Sequence, residues 1–142
     1  MEISEPKTKE EFEAYYDLRF RVLREPWGQP RGSEKDELED KAVYVMACEA
    51  GKVIGCGRLH LNSKEEAQIR YMAVDGKYRG KGVGKSILAG LENKAREKKT
   101  KYIVLNSRDT AVGFYERNGY KIVGKSHTLF GSIPHFKMRK EI

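Results

Sequence analysis

The chain has few of the residues that stabilise disulfide-rich, metal-binding or membrane-spanning proteins. Its 142 residues include only two cysteines, Cys48 and Cys56, which cannot form a disulfide scaffold and are not spaced for a metal cluster. Both lie in apolar runs, so we expect reduced core residues and no metal site. No run approaches the roughly 18 apolar residues of a membrane helix. The acidic start Met1–Pro6 is not typical of a signal peptide. We therefore expect a cytoplasmic protein without a membrane partner.

The composition that remains is that of a globular protein. Hydrophobic residues make up 39% of the chain and charged residues 35%. A chain of this length is the size of one ordinary domain with a real core. The sequence contains neither repeats nor a flexible linker, so we expect a single domain over residues 1–142.

Positive charge is concentrated in the second half of the chain. The net charge is +7 overall, yet residues 1–67 hold 11 Lys and Arg against 15 Asp and Glu, a net charge of −4. Residues 68–142 hold 17 against 6, a net charge of +11. A polyanionic cofactor explains this asymmetry as well as nucleic acid does. No recognition helix or aromatic–basic stacking motif is present, so nucleic acid is not the expected partner.

Hydrophobic periodicity and turn signals predict a mixed α/β fold. We predict helices that start near Lys9 and end before Pro26, that span Gly82–Lys98, and that span Thr110–Arg117 with Ser107 or Asp109 as the cap. Ser33–Asp40 fits either a short acidic helix or an ordered loop. The predicted strands lie near Met1–Pro6, Ala42–Glu49, Val53–Leu61, Ala67–Val74, Tyr102–Leu105, Tyr120–Val123 and Ile133–Glu141.

These elements predict one central sheet of six to seven strands with helices on both faces. The sheet should be mixed and mostly antiparallel, with a β-α-β crossover through a glycine-rich loop. Pro134 lies in the last strand, which we therefore expect at an edge of the sheet.

The most informative stretch is the glycine-rich segment Arg79-Gly-Lys-Gly-Val-Gly-Lys85, which joins a strand to a helix. Glycines let backbone N–H groups approach a ligand closely, and the helix start adds free N–H groups and a positive dipole end. The segment therefore predicts an anion site with phosphate as the expected ligand. It fits neither the P-loop pattern, which would need glycine at Arg79, nor the dinucleotide fingerprint, whose third glycine would be Lys85 or Ile87.

The pattern that does fit is [QR]-x-x-G-x-[GA], with Arg79, Gly82 and Gly84 in the fixed places. It resembles the coenzyme A pyrophosphate loop of the GCN5-related N-acetyltransferases. Ala111–Tyr120 resembles a second hallmark of that family, A-x-x-F-Y-x-x-x-G-[FY]. Because both motifs occur in the expected order and spacing, the resemblance covers most of the chain and implies the acyl-CoA N-acyltransferase fold.

The resemblance implies acetyl-CoA as the cofactor and an amine as the acceptor. Tyr115 matches the tyrosine that protonates the departing thiolate, and core packing is its alternative role. The resemblance also implies that strands Ala67–Val74 and Tyr102–Asn106 splay apart to seat the thioester. The residues implied to bind the cofactor are Met72, Ala73, Val74, Arg79, Gly80, Lys81, Gly82, Val83, Gly84, Lys85 and Asn106, the last with a turn or cap as its alternative role.

The sequence departs from the family at the general base. Family members often carry a glutamate on the fourth strand, where this chain has Gln68 and Arg70. A base, or desolvation of the amine, is still required because the pKa of an alkyl amine is roughly 10. The candidates that remain are Glu25, Glu34, His60 and His135.

Two charged groups could contact the acceptor. Arg58, His60 and Arg70 lie on neighbouring strands and could share a face that binds a carboxylate. The acidic segment Ser33–Asp40 could instead attract a cationic amine. Exposed surface charge is the favoured interpretation of both groups.

We therefore predict an acetyl-CoA-dependent N-acetyltransferase acting on an unidentified small-molecule or protein amine. The alternative is a coenzyme A-binding regulatory module without catalytic activity, which the missing glutamate favours. The strands after Gly124 carry apolar residues at a sheet edge, so we also predict a homodimer.

Overall fold

The computed structural model describes all 142 residues and contains one seven-stranded sheet. Its strand order is β1-β2-β3-β4-β5-β7-β6, and only the β4–β5 pair is parallel. The predicted mixed, mostly antiparallel sheet is confirmed. The strands are β1 Glu2–Ser4, β2 Val43–Glu49, β3 Lys52–Leu61, β4 Glu66–Val74, β5 Tyr102–Arg108, β6 Lys121–Leu129 and β7 Ile133–Glu141.

Three helices flank the sheet: α1 Lys9–Leu23, α2 Val83–Glu97 and α3 Val112–Arg117. The start of α1 is the predicted capping box, in which the Thr8 side chain accepts from the Glu11 N–H and the Glu11 carboxylate accepts from the Thr8 N–H. No helix in the structure has the length and apolar character needed to cross a membrane.

The helices cover both faces of the sheet, as expected. Because successive side chains of a strand point to opposite faces, Tyr44 and Met46 of β2 pack in the cluster that contains α1. Val45 and Ala47 of the same strand pack in the larger cluster that contains α2 and α3. Two separate apolar layers therefore hold α1 on one face and α2 with α3 on the other.

Two glycines of β3 allow α2 to lie directly on the sheet. A Cβ at Gly55 would stand 2.5 Å from Cδ1 of Ile87, and a Cβ at Gly57 would stand 2.7 Å from Cδ1 of Leu91. A side chain at either position would push the α2 side chains away, so the two glycines allow the close packing that positions α2 and the glycine loop before it.

The strand order differs from the prediction at the C-terminus. Strand β7 lies between β5 and β6, so the expectation that Pro134 marks an edge strand was wrong. Pro134 is tolerated because β7 pairs with β5 only from His135 onward. The edge strand is β6, which continues to Leu129, well beyond the predicted end at Val123.

The structure decides one open alternative and corrects one further local prediction. Of the alternatives for Ser33–Asp40, the structure has the ordered loop, followed by a single 3-10 turn at Glu39–Lys41. Neither predicted side chain caps α3, because a 3-10 turn at Asp109–Ala111 precedes the helix and makes Ala111 its N-cap, which has no side-chain cap bond.

Candidate active site

The sheet opens between its two parallel strands. β4 and β5 pair only as far as Ile69 and Leu105, after which β4 stays with β3 and β5 stays with β7. Tyr71 adopts a left-handed φ of 58°, which bends β4 at the point of separation. The predicted splay is present, and the β5-facing edge of β4 beyond Ile69 is left without a strand partner.

A large groove runs along this open edge to the start of α2. Its volume is about 740 Å³. Nine of the eleven residues predicted to bind the cofactor line it, namely Met72, Ala73, Val74, Arg79, Gly80, Gly82, Val83, Gly84 and Lys85. Lys81 lies outside it with Nζ 5.6 Å from the Tyr78 ring centre, and Asn106 lies elsewhere.

The glycine loop presents free backbone donors to this groove. Gly80 and Gly82 have φ of 75° and 80°, a conformation in which side chains are strained, and a Cβ on either would meet no atom within 4 Å. Gly82 is the N-cap of α2 and provides no side-chain cap. The N–H groups of Val83, Gly84 and Lys85 accordingly donate to no protein group. This cradle fits a diphosphate.

Charge in the groove has one sign. Its charged lining side chains are Arg79, Lys85, Arg108 and Arg117, and no carboxylate lines it. A polyanion is attracted to such a groove, and the positive end of α2 adds to the attraction.

A second, smaller cavity lies at the same opening in the sheet. Its volume is about 150 Å³, and it is built from the end of α1, the separated ends of β4 and β5, and strands β6 and β7. It shares four lining residues with the groove, namely Met72, Arg108, Ala111 and Tyr115. A molecule in the groove and one in the cavity therefore meet beside these residues.

Tyr115 lies at the junction with its ring held firmly. The ring centre is 5.0 Å from that of Phe114 and 5.8 Å from that of Tyr120. Tyr115 is 8% exposed, and its hydroxyl forms no hydrogen bond with another protein group. Burial raises the pKa of Tyr115, so the hydroxyl keeps its proton at neutral pH and can donate it.

Of the four candidate bases, only His135 lines either cavity. His60 is committed elsewhere, with Nδ1 3.3 Å from Arg58 and Nε2 3.1 Å from Asn62. The Glu34 carboxylate accepts from the Gly32 N–H at 2.7 Å, while Glu25 lines no cavity.

His135 is held in one tautomer by a backbone carbonyl. Its Nδ1 lies 2.9 Å from the oxygen of Ile133, which can only accept, so Nδ1 carries the proton and Nε2 has the lone pair. The ring stacks on His127 with centres 4.5 Å apart. Burial lowers the pKa of His135, so the ring is neutral at pH 7.

Both interpretations of Arg58, contact with an acceptor and exposed surface charge, were wrong. Its side chain is fully buried, and it bonds to Asp36 at 2.6 Å and to Glu39 at 2.8 Å. Arg70 also reaches Asp36, at 3.0 Å. Burial alone would raise the pKa of Asp36, but the bonds from Arg58 outweigh it and lower the pKa to about 2. The acidic loop thus pairs with internal arginines and does not attract an acceptor amine.

Asn106 lies inside β5, not after it, and opposite Lys137 of β7. It is exposed and lines the smaller cavity. Sequence reasoning missed several residues of this cavity because they come from separate loops and strands. They are Arg24, Trp27, Arg108 and His127.

Most of the chain matches one known protein family. Residues 22–142 match the acetyltransferase (GNAT) domain. The chain therefore belongs to the GNAT acetyltransferases, and it is an acetyl-CoA-dependent N-acetyltransferase. The resemblance found in the two sequence motifs is confirmed.

Relatives and solved structures agree with this assignment. The chain is 27% identical to the uncharacterized N-acetyltransferase YjcF of Bacillus subtilis, covering 95% of this chain and 96% of that protein. It is 31% identical to YyaT of the same organism, covering 77% and 72%. The fold matches an aminoglycoside 6'-N-acetyltransferase complexed with coenzyme A, with a TM-score of 0.84, 18% identity, and coverage of 99% and 97%. An Elizabethkingia anophelis GNAT acetyltransferase with acetyl-CoA bound matches with a TM-score of 0.72, 19% identity, and coverage of 89% and 90%.

Proposed function

We propose that acetyl-CoA binds in the large groove and that its acetyl group is transferred to a small amine held in the smaller cavity. The observation that carries this proposal is the meeting of the two cavities at Tyr115 in the opening between β4 and β5. Cofactor and acceptor can approach from the two sides without competing for space.

The chain's own residues would hold the cofactor at two places. The N–H groups of Val83, Gly84 and Lys85 would bind the diphosphate, with Arg79 adding charge. The free edge of Met72–Val74 would pair with the pantetheine amides like an added strand. Lys81 and Asn106 would contribute less, because neither lines the groove. Bound acetyl-CoA supplies the electrophilic thioester.

Two side chains would move protons. The Tyr115 hydroxyl, protonated and without a protein partner, would donate to the departing sulfur. Nε2 of His135 would accept a proton from the attacking amine, directly or through water.

The base assignment predicts the pH profile. The groups facing His135 are His127, Arg108 and Asp109, and the net effect with burial is a lowered pKa. A base works when unprotonated, so kcat/KM should rise with pH through a limb centred below the usual histidine value of roughly 6.5. His135→Asn should remove this limb and lower the plateau by roughly 10²-fold or more. An unchanged limb in the variant would assign the base to another group.

The size of the cavity limits the acceptor. Pockets for drug-sized ligands have volumes of roughly 300–1,000 Å³, and this cavity has about 150 Å³. It fits a small amine or the end of a longer one.

A screen of an amine panel for thiol release from acetyl-CoA tests the function. Steady release with some amine supports a catalyst, whereas cofactor binding without release from any amine would favour the regulatory module.

We further propose one acetyltransferase domain over residues 1–142, located in the cytoplasm, with neither nucleic acid nor membrane as a partner. The basic surface supports an anionic cofactor in this assignment, because the free N–H groups and cations converge on the groove.

A homodimer through β6 is the expected assembly. This edge strand has free backbone groups on one side and exposes Ile122 and Val123, at 45% and 55% of their surface. Light scattering at tens of micromolar should give twice the chain mass of 16.3 kDa. Val123→Lys should shift the protein toward the monomer. A monomer mass for the unaltered protein would refute the dimer.

A further inference from the structure

We propose that the acceptor amine carries an anionic group, a carboxylate or a phosphate, which Arg24 and Arg108 bind in the smaller cavity. This inference rests on the proposed function, because it names the substrate class of the same site. It is carried by the charges that line the cavity and by the free donors of these two arginines.

The cavity has the wrong charge for a plain amine. Three arginines and two histidines line it, and neither Asp nor Glu does. An alkyl amine is a cation in water, and a site built for it would supply carboxylates. The aminoglycoside 6'-N-acetyltransferases that share this fold are named for a substrate with several amino groups, but no carboxylate lines this cavity to pair with such a substrate.

Arg24 has N–H groups that no other protein group accepts from. Nε donates to the oxygen of Ser33 and Nη1 to that of Leu23, both at 3.0 Å, while Nη2 donates to no protein group. The guanidinium lies 5.6 Å from the Tyr71 ring centre and 5.5 Å from that of Phe130. It forms no ion pair and is half-buried, so its charge is poorly hydrated and uncompensated.

Arg108 is similarly unpaired. Its side chain makes no hydrogen bond and its guanidinium stacks 5.4 Å from the Trp27 ring centre. Burial lowers the pKa of both Arg24 and Arg108, which is the effect expected of charges that lack a counter-ion. Arg70, the third arginine, is already paired with Asp36. A carboxylate or phosphate can accept two parallel N–H bonds from a guanidinium.

The same charges help the chemistry. Nearby cations and desolvation both favour the neutral form of an amine, so they lower its pKa toward neutrality. The nucleophile would then be available without the strand glutamate that Gln68 and Arg70 replace. The attraction between the anionic group and the arginines offsets the repulsion between the protonated amine and the same arginines. Once bound, the amine loses its proton more readily because the cavity is positively charged.

The two arginines can be separated by experiment. Arg108 lines the groove as well as the cavity, so its replacement should affect both ligands. Arg24 lines the cavity alone. Arg24→Gln is therefore the informative variant, and Arg24→Lys tests whether the positive charge alone is enough. Arg96→Gln, on the exposed face of α2, is the control, because it removes the same charge away from the cavity.

The test compares amines in matched pairs: phosphoethanolamine with ethanolamine, 4-aminobutanoate with 1,4-diaminobutane, and glycine with glycinamide, beside an aminoglycoside. In at least one pair the anionic member should have a kcat/KM roughly tenfold higher or more, equivalent to about 1.4 kcal/mol. The pairs also show whether carboxylate or phosphate is preferred.

Arg24→Gln should reduce the preference for the anionic amine several-fold by raising the KM of that amine, with the KM of acetyl-CoA unchanged. Arg24→Lys should retain most of the preference, and Arg96→Gln all of it.

Failure of this inference differs from failure of the proposed function. Turnover that favours the neutral or cationic partners, or the aminoglycoside, would overturn the anionic acceptor and leave the transferase intact. If no amine is acetylated, the proposed acceptor chemistry fails, and calorimetry of phosphoethanolamine and 4-aminobutanoate with the CoA-saturated protein decides the inference. Binding that Arg24→Gln weakens tenfold would support the anion site, whereas absent binding would overturn it.

Discussion

Tyr115→Phe should lower turnover by roughly 10²-fold, the lower end of the 10²–10⁴ range for general acid catalysis. The change keeps the ring packed between Phe114 and Tyr120 and removes only the hydroxyl. A thiolate is a tolerable leaving group, since the pKa of a thiol is roughly 8.5, and this is why we expect the smaller loss. Affinity for acetyl-CoA should change little, because the proton transfer strengthens mainly in the transition state.

Turnover and calorimetric affinity for acetyl-CoA are measured together in the two proteins. Tyr102→Phe is the matched control, because Tyr102 lines neither cavity and loses the same hydroxyl. Weakened affinity with unchanged turnover would make Tyr115 a binding or packing residue, and the acid would have to be sought elsewhere.

Gly82→Val should abolish the stabilisation by acetyl-CoA. Gly82 has a φ of 80°, which a β-branched residue strongly disfavours, so the loop should relax and turn its N–H groups away from the groove. A ligand at 100 times its Kd stabilises by about 2.7 kcal/mol. For a chain of this size that raises the Tm by roughly 5–11 °C, and the variant should lose this rise.

Gly76→Val is the control for the glycine change. Gly76 has an ordinary φ, is exposed, and would place a Cβ in open space. Its acetyl-CoA shift should match that of the unaltered protein. A folded Gly82→Val protein that still shows the full shift would mean that the diphosphate lies elsewhere.

Local patterns predicted the strand, the glycine loop and the helix beside the groove well. The strand, the glycine turn and the amphipathic helix follow one another in the chain, so Val74, Gly82 and Ile87 could be placed from nearby residues alone. The capping box at Thr8 is local in the same sense. The separation of β4 and β5 came from the family resemblance.

The strand order and the acceptor side could not be read in this way. The insertion of β7 between β5 and β6 depends on contacts between distant segments. Pro134 led to the wrong prediction of an edge strand because the neighbouring residues do not show that β5 pairs only with the part of β7 after it. Arg24, Trp27 and His127 come from three parts of the chain and become neighbours only in the fold.

Charge patterning was the least reliable guide. The basic strand residue Arg58 and the acidic loop residues Asp36 and Glu39 were read as free to contact an acceptor or as exposed surface. They form a buried set of ion pairs instead. Sequence gives no sign of burial for a charge whose partner lies 22 residues away. Sequence also gives no sign that Arg24 and Arg108 are unpaired, whereas Arg70, the third arginine of the cavity, is paired with Asp36.

The central claim is that an acetyl group moves from the groove to an amine in the adjoining cavity, past Tyr115. Its most direct test is product analysis by mass spectrometry after incubation with acetyl-CoA labelled in the acetyl group and the anionic amines named above. The account predicts a labelled N-acetyl product in amounts equal to the thiol released, formed roughly 10²-fold more slowly by Tyr115→Phe. Thiol release without labelled amide, or labelled amide formed equally fast by the variant, would contradict it.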